Sequence, residues 1–426
     1  MTDPLKSPLT LPCGAVLPNR LAKAAMTEGM APGGVPGDDL VRLYGEWAHS
    51  GCGLLLTGNV PVDRDNLERP GNVVIDGEPD GAMRQALTRW SSAAKAGGAA
   101  FWMQISHAGR QTPIRVNKHP KAPSAVTLPV PGKMFGEPVA LTEPEILDLI
   151  ARFARAARVA RETGFDGVQI HAAHGYLISQ FLNPRANLRQ DAWGGSLENR
   201  ARFLMEAVKA TRAAVGADFA VSVKLNSADF QKGGFAFEDS LTVAGWLADA
   251  GIDLLEISGG SYEQPRMMDT DGLTAPDQPK AASTRAREAY FLDFARAILK
   301  AKAPPLMVTG GFRSSESMAE ALAEGIAVIG LGRPLCADAD AAKALLDAGK
   351  PLTRWEDRLR VGPGILGPAS PAPLLKALNV LAVQAWYYQQ LRHIGAGRKP
   401  DLKLGAFRAF LAELRDDARV AKGLYG

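Results

Sequence analysis

Short apolar runs alternate along the chain with longer segments whose apolar positions repeat with helical spacing. Such alternation of strands and helices is typical of repeated βα units that build a parallel sheet. The pattern predicts eight strands, numbered one to eight along the chain: Arg20–Met26, Gly53–Thr57, Ala100–Ser106, Gly167–Ile170, Ala220–Leu225, Leu254–Ser258, Leu306–Thr309 and Ala327–Leu331. Because eight βα units close on themselves, we expect a (β/α)8 TIM barrel of the α/β class.

Amphipathic segments between these runs predict the helices of the barrel's outer layer. Six segments have this pattern: Asp39–His49, Met83–Ala96, Ala201–Val215, Asp239–Ala250, Arg287–Ala301 and Ser315–Ala323. A further helix is indicated where Thr142 and Glu145 form a capping box, since the apolar positions that follow share one helical face until Gly164. We assign these apolar faces to the core.

Both ends of the chain extend beyond the eight units. Ser7–Asn19 contains Pro and Gly turns and predicts a hairpin that closes the N-terminal end of the barrel. After the eighth unit, Ala377–Arg392 and Leu404–Leu414 have helical patterns. We therefore expect a barrel domain at residues 1–345 and a C-terminal helical extension at residues 346–426, packed on the barrel or on a partner subunit.

Composition narrows the class of protein. Hydrophobic residues make up 46% of the 426 residues and charged residues 22%, as in a globular protein with a sizeable core. The 49 basic and 45 acidic residues are interspersed, so the net charge of +4 includes no basic block of the kind that binds nucleic acid or membranes. The N-terminus lacks the apolar region of a signal peptide, and the three cysteines form no Cys-x-x-Cys motif. We expect a cytoplasmic protein that acts on a small molecule, without a disulfide framework or a zinc or iron–sulfur site.

Glycine-rich turns follow strands seven and eight. The first, TGGFR, contains Gly310 and Gly311, and the second, GLGRP, contains Gly332 and Arg333. Glycines let backbone N–H groups approach an anion, and the start of a helix favours negative charge. Loops at these two strand ends frequently bind phosphate in (β/α)8 barrels. We therefore predict a phosphate site, although either turn alone could serve only as a tight turn with an arginine in a surface ion pair.

Polar side chains also lie at the ends of other strands. Thr27 follows strand one, and Gln104 and Lys224 lie near the ends of strands three and five. An amide can donate to and accept from a heterocycle, and an ammonium group beside it can stabilise a delocalised anion. These residue types suit a redox-active ring.

The sequence HAAHGY follows strand four and holds three proton-handling groups. If the chain makes a helical turn there, His171 and His174 lie about 5–6 Å apart on one side and can both donate to one carbonyl oxygen. The phenol of Tyr176 would be a proton donor at neutral pH. The alternative is a metal site, for which His107 could supply a third ligand, but no further ligand follows closely and we expect no metal.

A longer run carries a family resemblance. HAAHGYLISQFLNPRANLRQDAWGGSLENRARF, residues 171–203, resembles the signature of the Old Yellow Enzyme family of FMN-dependent ene-reductases. Further matches are NRLAKAAMT (19–27), QISHAGRQ (104–111), TGGFR (309–313) and GLGRP (330–334). The resemblance covers the barrel from residue 5 to about 345 and implies a flavin barrel.

The resemblance implies that FMN binds without a covalent link. Its phosphate would contact the two turns, at Gly310, Gly311, Gly332 and Arg333. Its isoalloxazine ring would lie near Ala25, Met26, Thr27, Gly58, Gln104 and Lys224. Within that set, Thr27 would donate to the C4 carbonyl of the ring, and Gln104 would bind its pyrimidine edge.

The resemblance also implies a reaction. NAD(P)H would supply a hydride to the flavin, which would pass it to the β-carbon of an activated alkene. His171 and His174 would hold the substrate carbonyl, and Tyr176 would protonate its Cα. The substrate and the choice between NADH and NADPH stay open, and a homo-oligomer is compatible with the sequence.

Three positions depart from the family pattern. Lys224 stands where arginine is common, which keeps the positive charge but loses the planar fork. Ala25 replaces a common proline, and Thr27 stands where one subgroup has a redox-modulating cysteine.

The residues alone leave two alternatives to an ene-reductase. One is a flavin enzyme that acts oxidatively, on an amine or steroid-like substrate or as an NADH oxidase. The other is a non-flavin barrel lyase or isomerase that binds a phosphorylated metabolite.

Overall fold

A closed barrel of eight parallel strands forms the centre of the molecule. The computed structural model describes residues 3–129, 134–229, 231–258, 294–300 and 303–422. Strands one to eight span Leu21–Lys23, Leu54–Pro61, Ala100–Ser106, Gly167–Ala172, Ala220–Asn226, Leu254–Ser258, Leu306–Thr309 and Val328–Leu331. Each strand pairs with the next in chain order, and the eighth pairs with the first. All eight predicted strands and the barrel are therefore confirmed.

Helices follow the strands and cover the barrel. The longer ones span Asp38–Ala48, Gly81–Lys95, Glu143–Glu162, Leu197–Val215, Phe237–Asp249 and Ser315–Ala323, and the shorter ones Leu177–Leu182, Pro334–Ala337 and Ala341–Ala348. Single turns of 3-10 helix lie at Pro4–Lys6, Pro32–Gly34, Gly109–Gln111, Trp355–Asp357 and Gly364–Leu366, and a small sheet pairs Lys121–Ala122 with Val139–Ala140. The predicted helix Arg287–Ala301 lies partly outside the described residues. Within the part that is described, residues 294–299 are helical.

The capping box is present. The backbone N–H of Thr142 donates to the Glu145 carboxylate at 2.8 Å, and the helix that follows buries the predicted apolar face. This box satisfies backbone donors that a helix start leaves without partners.

The N-terminal hairpin closes the amino end of the barrel as predicted. Leu9–Thr10 and Val16–Leu17 pair antiparallel, and Leu17 packs in one apolar cluster with Leu54, Trp102 and Leu254 from the barrel strands. These contacts seal the end opposite to the one at which the polar side chains collect.

The C-terminal extension packs on the barrel. Its helices span Pro373–Gly395 and Ala406–Lys422, and Trp386 and Ile394 of the first belong to the main hydrophobic core. Arg69 of the barrel forms buried ion pairs with Glu413 and Asp417 of the second helix. Among the described residues, none of the helices combines the length and the apolar character that a membrane span requires.

Candidate active site

The two histidines and the tyrosine of HAAHGY are brought together past strand four. The ring centroid of His171 lies 5.0 Å from that of His174 and 4.8 Å from that of Tyr176, and both pairs meet edge to face. His171 and Tyr176 are buried, with 3% and 5% of their surface exposed. Three proton-handling rings therefore form one cluster.

The two histidines come together without the helical turn on which the predicted spacing was conditional. Strand four continues to Ala172, and His174 and Gly175 then adopt positive φ values of 61° and 75° before the helix that follows Tyr176. Histidine is among the residues that tolerate this left-handed region better than most. The backbone N–H of His174 donates to Asn226 Oδ1 at 3.1 Å, which helps to hold the turn.

Both imidazoles are neutral at pH 7. Burial, and then the charge of Lys224, hold the pKa of His171 and that of His174 well below the ordinary value. Nδ1 of His171 accepts the backbone N–H of Ala173 at 3.2 Å, so in the neutral ring the proton is on Nε2. Nε2 of His174 lies 2.6 Å from Ser258 Oγ. His171 thus keeps a ring N–H that can be donated to a ligand.

Lys224 lies in the same row of the barrel as His171. The register pairs His171 with Lys224 across strands four and five, and Lys224 with Glu256 across strands five and six. Lys224 Nζ contacts Glu256 Oε1 at 2.9 Å, and Glu256 is fully buried. The positive charge that the sequence predicts at this position therefore has a counter-charge, which sequence reasoning missed.

A chain of amides connects Gln104 to the same carboxylate. Gln104 Nε2 donates to Gln169 Oε1 at 2.6 Å, and Gln169 Nε2 donates to Glu256 Oε2 at 2.9 Å. An ionised carboxylate has no hydrogen to donate. Gln169 must therefore direct its N–H groups to Glu256 and its oxygen to Gln104. Glu256 thereby fixes the orientation of the Gln104 side-chain amide, whose NH2 group is directed to Gln169.

Thr27 has an acidic neighbour. Its hydroxyl donates to Glu68 Oε2 at 2.8 Å, and Asn59 Nδ2 donates to the same oxygen at 2.6 Å. Burial raises the pKa of Glu68 although these donors act against the rise. The expected hydrogen bond from Thr27 to a flavin carbonyl stays a prediction.

Gly58 lies over a buried ionic cluster. Its backbone N–H donates to Glu28 Oε1 at 3.1 Å, and the same carboxylate accepts the hydroxyl of Tyr44. Lys23 Nζ lies 3.0 Å from that hydroxyl and 2.6 Å from the carbonyl oxygen of Leu56. A Cβ at residue 58 would lie 2.3 Å from Glu28 Oε2 and 2.5 Å from the backbone oxygen of Met26, so only glycine fits there.

The remaining flavin-site candidates lie around the same end of the barrel. Ala25 and Met26 follow strand one and are half-buried. A Cβ built on Gly332 would lie 3.6 Å from Met26 Sδ, which is an ordinary contact distance. The structure therefore brings the end of strand one next to the turn after strand eight.

The two glycine turns lie side by side, because strands seven and eight pair up to their ends. Met307 lies opposite Val328, and Thr309 lies opposite Gly330. Gly310 and Gly311 have φ values of 124° and 79°, and a Cβ on Gly310 would meet open space. Positive φ values favour glycine, and the open space beside Gly310 leaves room for a ligand close to the backbone.

Two arginines follow these turns. Nε of Arg313 is buried and has no hydrogen-bond partner among the described residues. Glu356 of the C-terminal extension accepts from Arg313 at 2.8 Å and lies 3.4 Å from Arg333. Open glycine backbone, two cations and an orphaned N–H fit a phosphate group such as that of FMN.

His107, the residue that left a metal site open, does not join the other histidines. Its Nε2 lies 3.5 Å from Asp63 Oδ2, and its Nδ1 accepts the backbone N–H of Gly109. Within the described part of the chain, no group of three or more potential metal ligands comes together.

Sequence reasoning missed the acidic residues around the site: Glu28, Glu68, Glu256 and Glu356. The one available signal was Glu256, because a charged residue inside the apolar strand LLEIS implies a buried partner.

Comparisons with known proteins agree with this architecture. Residues 4–348 match the model of the NADH:flavin oxidoreductase / NADH oxidase family. The chain is 39% identical over 346 residues to the NADH-dependent flavin oxidoreductase iliE of Neonectria sp. (strain DH2). The aligned region covers 77% of this chain and 45% of that protein. It is 35% identical over 412 residues to the NADH-dependent flavin oxidoreductase iccE of Talaromyces variabilis. Here the aligned region covers 91% of this chain and 97% of that protein. The chain thus spans just under half of the first relative and nearly all of the second.

A solved structure is similar as well. The old yellow enzyme homologue from Zymomonas mobilis superposes with a TM-score of 0.66 at 28% identity, over 82% of this chain and 94% of that one.

Proposed function

We propose an ene-reductase activity for this chain, which belongs to the NADH:flavin oxidoreductase / NADH oxidase family and resembles Old Yellow Enzyme homologues. As a member it is an FMN-dependent oxidoreductase that uses a nicotinamide as reductant. This membership excludes the alternative of a non-flavin lyase or isomerase. The reaction we propose is reduction of the C=C bond of an α,β-unsaturated carbonyl compound.

The cluster of His171, His174 and Tyr176 carries the proposal. A substrate carbonyl oxygen beside the two neutral imidazoles accepts the N–H that His171 holds on Nε2. A hydrogen bond to this oxygen stabilises the negative charge that develops on it when a hydride adds to the alkene. The alkene's β-carbon is thereby made electrophilic.

Tyr176 supplies the proton in this proposal. Its ring packs against that of His171 at 4.8 Å and is almost fully buried, so the phenol is held near the carbonyl that the histidine binds. FMN, when bound, provides the hydride chemistry. The phenol then protonates the substrate Cα, which completes the saturation of the C=C bond.

FMN fits the residues at the barrel mouth. The turns at Gly310, Gly311, Gly332 and Arg333 would hold the phosphate. The ring would contact Ala25, Met26, Thr27, Gly58, Gln104 and Lys224. Gln104 and Lys224 are buried and contact the linked side chains of Gln169 and Glu256, which supports a role at the ring edge.

Anaerobic stopped-flow kinetics of the FMN holoenzyme tests the activity, with NADH and NADPH in turn and 2-cyclohexenone as oxidant. Tyr176→Phe should slow flavin reoxidation by the enone roughly 100-fold or more, while flavin reduction by the nicotinamide, an internal control, stays unchanged. His171→Ala should weaken the binding of phenols, and His119→Asn, at an exposed histidine, should not.

Two outcomes would count against the proposal. If both half-reactions of Tyr176→Phe match those of the wild type, Tyr176 is not the acid. If the wild-type enzyme consumes O2 with NADH but reduces no enone in a panel, its activity is that of an NADH oxidase.

A further inference from the structure

Lys224 and Glu256 form an ion pair inside the barrel. Nζ and Oε1 lie 2.9 Å apart, and the two side chains are 5% and 0% exposed. The residues are directly opposite each other in the register of strands five and six. The positive charge at this position is therefore accompanied by an equal negative charge.

Hydrogen-bond donors surround Glu256. The Thr309 hydroxyl donates to Oε1 at 2.7 Å, and Gln169 Nε2 donates to Oε2 at 2.9 Å, in addition to the ammonium of Lys224. An ionised carboxylate is an acceptor only, so three donors match it. Gln169 in turn accepts from Gln104, which agrees with the same direction of donation along the chain of amides.

We propose that Glu256 sets the redox potential of bound FMN by cancelling the positive charge of Lys224. The proposal rests on the proposed function in one respect, that FMN lies against Lys224. A hydride carries two electrons and one proton, so the acceptor ring gains one negative charge while the nicotinamide gains one positive charge. An uncompensated ammonium beside the ring would favour that negative charge, and an ammonium paired at 2.9 Å favours it much less.

Glu256 is thus a positioning and tuning residue that acts through Lys224. By keeping the site electroneutral it holds the potential low. A low potential makes the reduced ring a better hydride donor to a substrate. The Glu256 carboxylate also pairs with the lysine that stands in place of the family's arginine, so no buried charge is left unpaired.

Midpoint potentials of the FMN holoenzyme, measured by spectroelectrochemistry, test the proposal. Glu256→Gln removes the negative charge with little change in shape. Its preference for reduced over oxidised FMN should be at least tenfold greater than that of the wild type, which raises the potential by about 30 mV for a two-electron couple. Lys224→Met should shift the potential the opposite way, because it leaves Glu256 uncompensated.

The double variant is the sharper test. Lys224→Met with Glu256→Gln again has no net charge at the pair, so its potential should return close to that of the wild type. Glu256→Asp keeps the charge and should also stay close to the wild type. Asp253→Asn is the matched control, since it removes a buried carboxylate that pairs with Arg212 at the opposite end of strand six, and it should leave the potential unchanged.

Equal potentials for the wild type and Glu256→Gln would overturn the proposal. If Glu256→Gln does not accumulate as folded protein, equal potentials for Lys224→Met and the double variant overturn it instead. A wild-type protein that binds no FMN would overturn the proposed function together with this inference. FMN-bound protein with an unshifted potential in Glu256→Gln overturns the inference alone.

Discussion

Glu356 of the C-terminal extension accepts a hydrogen bond from Arg313 at 2.8 Å, across 43 positions of sequence. The same carboxylate accepts the Tyr387 hydroxyl at 2.7 Å and lies 3.4 Å from Arg333. Although burial opposes ionisation, Arg333 and Arg313 hold the pKa of Glu356 below its ordinary value. The extension therefore reaches the turns that we assign to the phosphate of FMN.

The first prediction concerns this contact. Glu356→Gln leaves the guanidinium of Arg313 in a largely buried position without its counter-charge, and we expect the FMN-free protein to lose about 3 kcal/mol of unfolding free energy. FMN should restore more stability to the variant than to the wild type, because its phosphate brings the missing negative charge. Urea unfolding with and without FMN measures both effects.

Asp347→Asn is the control for that experiment. Asp347 also pairs with a cation, Lys343, that lies beyond strand eight, but both side chains are more than half exposed. Solvent screens such a pair, so this variant should match the wild type. An equal response of Glu356→Gln and Asp347→Asn to FMN would show that Glu356 has no link to the phosphate turns.

The second prediction concerns acid stability. The pKa of His171 is held well below its ordinary value, by burial first and then by Lys224, whereas in the unfolded chain the imidazole titrates near 6.5. Below pH 6.5 the unfolded state therefore binds more protons, so His171 makes the fold less stable as pH falls. Because the folded imidazole resists protonation, its share of the stability should fall by about 1 kcal/mol between pH 8 and pH 5.5.

His171→Asn should remove that share of the acid sensitivity. Urea unfolding of the FMN-loaded protein between pH 8 and pH 5.5 measures it, and His119→Asn, at an exposed position, should keep the slope of the wild type. If the curves of His171→Asn and the wild type run parallel, the buried imidazole is protonated in the fold.

The strands could be predicted from the sequence because each is buried on both faces and flanked by turn residues. Their bounds were less certain: strand one was expected at Arg20–Met26 and spans Leu21–Lys23. The turn at His174 could not be predicted, because a left-handed histidine leaves no trace in hydrophobic periodicity. Secondary structure was thus predictable where burial repeats along the chain.

The cations that the acidic residues of the site contact could not be predicted. Glu256 meets Lys224 only because the register of two strands aligns them, and Glu356 reaches Arg313 only through the packing of the extension. Neither contact has a fixed spacing in the sequence. Motifs therefore indicated the groups that face a ligand, whereas the charges that tune those groups required the fold.

The third prediction concerns Thr27. A hydroxyl has one hydrogen, and that of Thr27 points to Glu68 Oε2 at 2.8 Å. Because Glu68 Oε2 already takes this hydrogen, and Asn59 holds the same oxygen in place, Thr27→Val should change the FMN potential little in the wild-type background. In a Glu68→Gln background the weaker acceptor frees the hydrogen, and Thr27→Val should lower the potential by about 30 mV, a tenfold change in relative binding.

Spectroelectrochemistry of these four proteins forms a double-mutant cycle. The cycle isolates the hydroxyl from the charge that Glu68→Gln also removes. Should Thr27→Val lower the potential equally in both backgrounds, the hydroxyl already donates to the ring in the wild type, as the family resemblance implies.

The fourth prediction concerns Lys23, whose ammonium is fully buried beside Tyr44 and Glu28. Burial lowers the pKa of Lys23 to about 8, although Glu28 acts against the shift. In the unfolded chain a lysine titrates near 10.4, so between pH 8 and pH 10 the unfolded state binds more protons than the fold. The contribution of Lys23 to stability therefore rises with pH in this window, by about 2 kcal/mol from pH 7.5 to pH 9.5.

Lys23→Met should lose this rise, so its stability should fall relative to that of the wild type as pH increases, whatever its stability at neutral pH. Urea unfolding at pH 7.5, 8.5 and 9.5 measures the difference, and Lys343→Met, at an exposed lysine, should follow the wild type. The test uses a slope and not an absolute stability, because replacing Lys23 also leaves Glu28 with fewer partners. A constant difference between Lys23→Met and the wild type would mean that Glu28 keeps the ammonium protonated throughout, and that the cluster under Gly58 holds an ion pair and not a neutral amine.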